Sequence, residues 1–129
     1  MKTVYLCGPI NGCTDEGANG WRDFVINRAP QFEYLNPMRR DYRGKEDYNF
    51  DEIVELDKID IANSDALLVN YDKPSVGTSM EVYIAFTTGK LVVVVARLDA
   101  AISPWLRYHS HRIVRSLDEA IVNLTDLLA

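Results

Sequence analysis

The amino-acid sequence predicts an α/β fold, a doubly wound five-stranded parallel sheet, and three observations predict it. Short apolar runs rich in β-branched residues alternate with helix-length amphipathic segments, the pattern that produces a parallel sheet covered by helices. The run Leu91-Val92-Val93-Val94-Val95 is unbroken, as a strand buried on both faces requires. A length of 129 residues with 47% hydrophobic content suits one compact core, so residues 1–129 read as a single domain.

Taken in order, the β-rich runs place strands at Thr3 to Cys7, Glu33 to Leu35, Ala66 to Tyr71, Leu91 to Ala96 and Arg112 to Val114. Helical periodicity falls between them, at Glu16 to Arg28, Phe50 to Asn63, Thr78 to Thr88 and Leu117 to Leu128. Gly89 is placed to cap the third helix, and Ser116 with Glu119 reads as a capping box for the fourth. The stretch from Asn36 to Asn49 has no periodicity, carries Arg39, Arg40 and Arg43, and reads as a long functional loop. Right-handed crossovers then give the strand order 2-1-3-4-5, a flavodoxin- or Rossmann-like arrangement. Ligands of such sheets sit at the carboxyl ends of the strands, so the residues to inspect follow Cys7, Leu35, Tyr71 and Ala96.

Charge narrows the partners. A net charge of -5 disfavours attraction to a nucleic-acid polymer or an anionic membrane, which leaves a small molecule as the expected ligand. The first residues run straight into a strand, without the features of a secretory signal, and no stretch approaches the roughly 20 apolar residues of a membrane span. With two cysteines, Cys7 and Cys13, reduced thiols and a cytoplasmic location are expected. His109 and His111 do not combine with them into paired zinc-ligand spacings.

Four places carry candidate chemistry. The loop after the first strand, Gly8-Pro9-Ile10-Asn11-Gly12-Cys13-Thr14-Asp15, has glycines that let backbone approach a ligand, although it matches neither a dinucleotide fingerprint nor a P-loop. The third loop leads through Pro74-Ser75-Val76-Gly77-Thr78-Ser79-Met80 to Glu81. A helix starting near Thr78 puts Glu81 in its first turn, on the face of Ile84 and Ala85. A carboxylate on an apolar face conflicts with the pattern, and such conflicts concentrate at functional sites; the plain alternative is a solvent-facing acid at a helix start.

On the second helix, the stripe Phe50, Ile53, Val54, Ile61 contains position 57, which is Asp57, and Asp60 lies close to the same stripe. Periodicity does not choose between the two acids. Paired carboxylates suit glycosidic chemistry, in which one attacks the anomeric carbon and another manages protonation. Finally, Ser103-Pro104-Trp105-Leu106-Arg107-Tyr108-His109 sets aromatics beside a cation, fit for core packing, a pocket or a subunit contact. A nucleophilic cysteine is the weaker competitor, because neither Cys7 nor Cys13 has a base partner in the sequence.

These residues resemble the nucleoside 2-deoxyribosyltransferase family, which also contains nucleoside-monophosphate N-glycosidases. The resemblance spans nearly the whole chain, through Tyr5-Leu6-Cys7-Gly8-Pro9-Ile10, Asn36-Pro37-Met38-Arg39-Arg40-Asp41, the acidic helix, and Pro74 to Glu81. It implies Glu81 as nucleophile, Asp57 rather than Asp60 as the active-site aspartate, and Tyr5 as a tyrosine near the reacting centre. The substrate-binding positions it implies are Gly8, Ile10, Asn11, Arg39, Arg40, Ser75, Gly77 and, from a neighbouring subunit, Ser103. It further implies a retaining double displacement, with neither metal nor organic cofactor, in a homodimer or larger homo-oligomer.

Departures from the family bear on substrate. Transferases of free nucleosides commonly carry an acid near the position of Ser75 and an asparagine near that of Ser103. The hydrolases of nucleoside monophosphates resemble this chain in having serines at both, but carry first-loop arginines where Asn11 and Thr14 stand here; Arg39, Arg40 or Arg43 could substitute. The leading expectation is exchange of bases on 2′-deoxynucleosides, ahead of an N-glycosidase acting on a (deoxy)nucleoside 5′-monophosphate and of a non-catalytic nucleotide-binding module. A flavodoxin-like electron carrier fits less well, since the first loop lacks a hydroxyl-rich phosphate cradle.

Overall fold

The computed structural model describes residues 1–97 and 101–129; residues 98–100, among those to inspect after Ala96, lie outside them. The described residues form a five-stranded sheet of order β2-β1-β3-β4-β5, with every neighbouring pair parallel. The strands are β1 (Thr3–Cys7), β2 (Glu33–Leu35), β3 (Ala66–Tyr71), β4 (Leu91–Ala96) and β5 (Arg112–Val114), the segments expected from the sequence. The chain passes from β1 outward to β2 and then back beyond β1 to β3, so the order reverses between β1 and β3, the place where a doubly wound sheet opens a crevice.

Because side chains alternate across a strand, each strand feeds two cores. Val4 and Leu6 of β1 join Leu68, Val93 and Val95 under the helices α1 (Trp21–Arg28) and α5 (Leu117–Leu127). Tyr5 and Cys7 point the other way, with Leu67, Val69, Val92 and Val94, beneath α2 (Glu46–Ala62), α3 (Val76–Thr87) and the short α4 (Pro104–Tyr108). The chemistry collects on this second side.

Local signals explain the helix ends, and three differ from expectation. The first helix does not run unbroken from Glu16: a π-helical turn (Glu16–Gly20) precedes α1, and the carbonyl of Ala18 accepts from the Arg22 guanidinium at 2.5 Å. The second begins at Glu46 rather than Phe50, with a non-helical Asn49 whose amide donates to the Lys45 carbonyl, and this shortens the expected loop. Its apolar stripe is also not the core stripe expected, since Phe50 and Val54 are 68% and 47% exposed while Asp60 and Ile61 are buried. The amino-terminal half of α2 stands over a cavity instead of over the sheet.

The third helix starts at Val76, because Ser75 accepts the Thr78 N–H as its N-cap; Glu81 therefore sits in the second turn, not the first. Gly89 follows α3 with φ +85°, the left-handed conformation that closes a helix. Ser116 accepts from the Glu119 N–H at 3.1 Å, the capping contact expected there. Helix α4 was not foreseen: Ser103 caps it by accepting from Trp105 N–H, with Pro104 in its first turn. A 3-10 turn at Pro37–Arg39 is capped likewise by Asn36. No helix among the described residues is long and apolar enough to cross a membrane.

Candidate active site

The alternation of β1 brings Tyr5 and Cys7 to the same face, and α3 crosses that face with Glu81 turned toward them. The Tyr5 hydroxyl donates to Oε2 of Glu81, and the Cys7 thiol approaches Oε1 at 3.6 Å. Burial, and after it the charge of Asp57, pushes the Glu81 carboxyl up to about 7; the donors Tyr5 and Cys7 and the charge of Arg22 pull the other way. The Tyr5 phenol is itself pushed far above its ordinary value by burial and then by Glu81, which keeps it a proton donor.

The acids of α2 take different roles. Asp60 is buried and paired, with Arg39 and Arg40 each at 2.8 Å. Asp57 is only partly buried, meets Arg40 at 3.5 Å, and is pushed up by burial against the lowering charge of Arg40. Arg40 thus bridges the two acids. Position 60 has the character of a structural ion pair, whereas position 57 keeps open lone pairs facing a cavity.

That cavity, of about 570 Å³, lies at the carboxyl ends of β1 and β3, where the strand order reverses. Its volume falls in the range of small-molecule sites. Glu81, Asp57, Gly8, Ile10, Asn11, Arg40, Ser75 and Gly77 all line it, and Tyr5 supports Glu81 from below. Arg39 is turned away to Asp60, outside the lining. Ser103 lies elsewhere, in a second hollow of about 380 Å³ between α3 and α4 that Met80, Tyr83, Trp105 and His109 also line. Arg107 and Tyr108 are exposed and line neither hollow, while His109 is buried against Trp105.

Three groups escaped the sequence reading. Arg22 is wholly buried, with Nε donating to the Leu6 carbonyl at 3.2 Å and Nη2 to that of Gly8 at 3.1 Å, so it ties down the loop that forms one cavity wall. The signal was present, since Arg22 interrupts the apolar stripe Ala18, Val25, Ala29, as Glu81 interrupts its own. Lys73 brings a cation to the cavity from the loop after β3. Thr78, one turn before Glu81, has a buried hydroxyl with no hydrogen-bond partner among the described residues. Gly8, by contrast, is one of the expected binding positions, and space explains its glycine: a Cβ there would lie 2.9 Å from the Trp21 ring and 3.2 Å from the Asn70 carbonyl.

Solved structures with this architecture include a 2-deoxyribosyltransferase from Bacillus psychrosaccharolyticus, at TM-score 0.75 and 13% identity over 92% of this chain and 90% of that one. A conserved protein from Enterococcus faecalis V583 superimposes at 0.76 with 15% identity, covering 98% and 99% of the two chains. A CMP N-glycosidase from Clostridium botulinum gives 0.63 with 18% identity, covering 96% and 99%. The chain has their fold. No protein-family model matches it, and no curated protein matches it by sequence. At such identities the likeness concerns the backbone, and chemistry has to be argued from the side chains.

Those side chains suit attack at an electrophilic carbon. Glu81 offers a carboxylate that burial has made more basic than usual, fixed by a phenol that stays protonated. Asp57 stands on the same cavity, with its carboxyl pushed up by burial.

Proposed function

We propose that this chain is an enzyme that cleaves the N-glycosidic bond of 2′-deoxynucleosides and transfers the sugar to another base, a nucleoside 2-deoxyribosyltransferase with Glu81 as nucleophile. One observation carries the reading: Glu81 lines the crevice cavity while Tyr5 holds one of its oxygens. The neighbours named for transfer and for N-glycosidase chemistry share the fold and support the same reaction class.

In the proposed reaction the Glu81 carboxylate attacks C1′ as the C1′–N bond breaks. The bonding pair leaves with the base, which takes up a proton that Asp57 delivers. An incoming base then attacks C1′ of the glycosyl ester, returns its N–H proton to Asp57 and frees the Glu81 carboxylate, so configuration is retained. Gly8, Ile10, Asn11, Arg40, Ser75 and Gly77 surround the substrate, and no metal or organic cofactor takes part. Arg39 acts through Asp60 rather than on the substrate.

A second reading, an N-glycosidase of nucleoside 5′-monophosphates with the same nucleophile and water as acceptor, is favoured by Lys73 and by the start of α3 at Ser75, both on the cavity. Chromatography of the products separates the two. A deoxynucleoside supplied with a second free base is expected to give a new nucleoside; sugar or sugar phosphate released without transfer supports the hydrolase. Binding without turnover by either route, with affinity unchanged in Glu81→Ala, would leave a nucleotide-binding module.

The working form is proposed to be a cytoplasmic homodimer or larger homo-oligomer, in which Ser103 reaches a neighbour's site. Exposed Met80, Tyr83 and Trp105 share a hollow between α3 and α4 with that serine, an apolar surface of the sort that subunit contacts cover. Sedimentation of the intact chain and of Trp105→Glu tests this, with loss of the oligomer expected in the variant.

A further inference from the structure

Cys7 has the weakest claim to function on sequence, and its surroundings change that. It is fully buried at the end of β1, two residues after Tyr5 and on the same face, with its sulfur 3.6 Å from Oε1 of Glu81. Tyr5 meets the other oxygen, Oε2. The carboxylate is therefore approached from one strand by two donors of unequal strength, a hydroxyl and a thiol.

We infer that Cys7 is a positioning residue: its thiol holds Oε1 of Glu81 as Tyr5 holds Oε2, fixing the carboxylate in one rotamer at the cavity wall. The assignment of Glu81 as nucleophile rests on the function proposed above; the contact between Cys7 and Glu81 does not. A thiol suits this place because it is a weak donor. It orients the oxygen while leaving most of its electron density for bond formation, whereas a second hydroxyl would bind the ionised carboxylate more firmly.

Several charged or titratable groups surround Glu81, and a test has to separate Cys7 from all of them. They are Tyr5 on β1, Asp57 on α2 with Arg40 behind it, and Arg22 from α1 on the far side of the strand. Neither Cys7→Ala nor Cys7→Ser alters any of these, and both are small changes in a buried site.

The experiment is a carboxyl-carbon NMR titration of Glu81 in the intact chain, read beside the pH dependence of kcat/KM. Cys7→Ala is expected to raise the Glu81 midpoint by about half to one pH unit, because a donor to the charged form is lost. Cys7→Ser, which restores a donor, is expected to bring it back to or below that of the parent chain. If a cysteine at this position only fills space, both variants titrate like the parent, and that result overturns the inference whatever the turnover. A shifted midpoint in a chain that turns over no nucleoside supports the positioning contact and defeats the enzymatic reading.

Discussion

The hydroxyl of Tyr5 donates to Oε2 of Glu81 across 76 positions of the chain, joining the first strand to the third main helix at the crevice of the sheet. The bond does two things. It selects a rotamer for a carboxylate that burial would otherwise favour in its neutral form, and it offers that carboxylate a donor that does not ionise.

Replacing Tyr5 by Phe removes that donor while keeping the ring in the core. Glu81 then becomes harder to ionise, so the acid limb of the kcat/KM profile, set by the free protein, is expected to move up by roughly one pH unit. Turnover at neutral pH is expected to fall on the order of 10- to 100-fold. An unshifted limb would mean that Tyr5 does not act on Glu81.

Glu81 should also cost stability in a pH-dependent way. Its carboxyl is raised from 4.5 to about 7 in the folded chain, so between these values the folded state binds more protons and stability falls as pH rises. The penalty is complete above the upper value and absent below the lower one. Glu81→Gln is expected to exceed the parent chain in stability by on the order of 1–3 kcal/mol at about pH 8, the gap closing as pH falls through the window. Urea unfolding across that range measures it, and a gap independent of pH would contradict the assignment.

The two acids of α2 should part company on substitution. Asp60→Asn strips a buried carboxylate from Arg39 and Arg40, and is expected to lower stability by about 1–3 kcal/mol. Asp57→Asn touches the longer contact to Arg40 and a hydrogen bond with Tyr5, and should cost less stability than Asp60→Asn, while turnover falls on the order of 100-fold or more. Thermal unfolding beside initial-rate assays separates the two, and the reverse pattern would exchange their roles.

Gly8 should tolerate no side chain. The methyl of Gly8→Ala would press on the Trp21 ring and on the Asn70 carbonyl, neither a flexible chain end that can move aside. Destabilisation of about 1–3 kcal/mol is expected, together with weaker binding of any ligand that uses the loop after β1. Unfolding curves and ligand titration of the variant provide the check; parent-like behaviour in both would show that the loop yields easily.

Much of this molecule is written locally. Apolar runs alternating with helical periodicity indicated the five strands found among the described residues and their order, most plainly at Leu91 to Val95, because a strand buried on both faces demands an unbroken apolar segment and parallel crossovers are handed. Ser116 and Gly89 marked helix ends through contacts only a few residues long. Glu81 and Asp57 could be singled out as acids out of place in apolar patterns, although Asp60 looked equally suitable. Tertiary structure alone decided the rest. Which acid is tied up by arginines, which of two serines faces the crevice cavity, and whether a buried thiol and phenol meet one carboxylate all depend on contacts between distant segments. Periodicity reports the face on which a side chain lies; it carries no information about what waits on the other element.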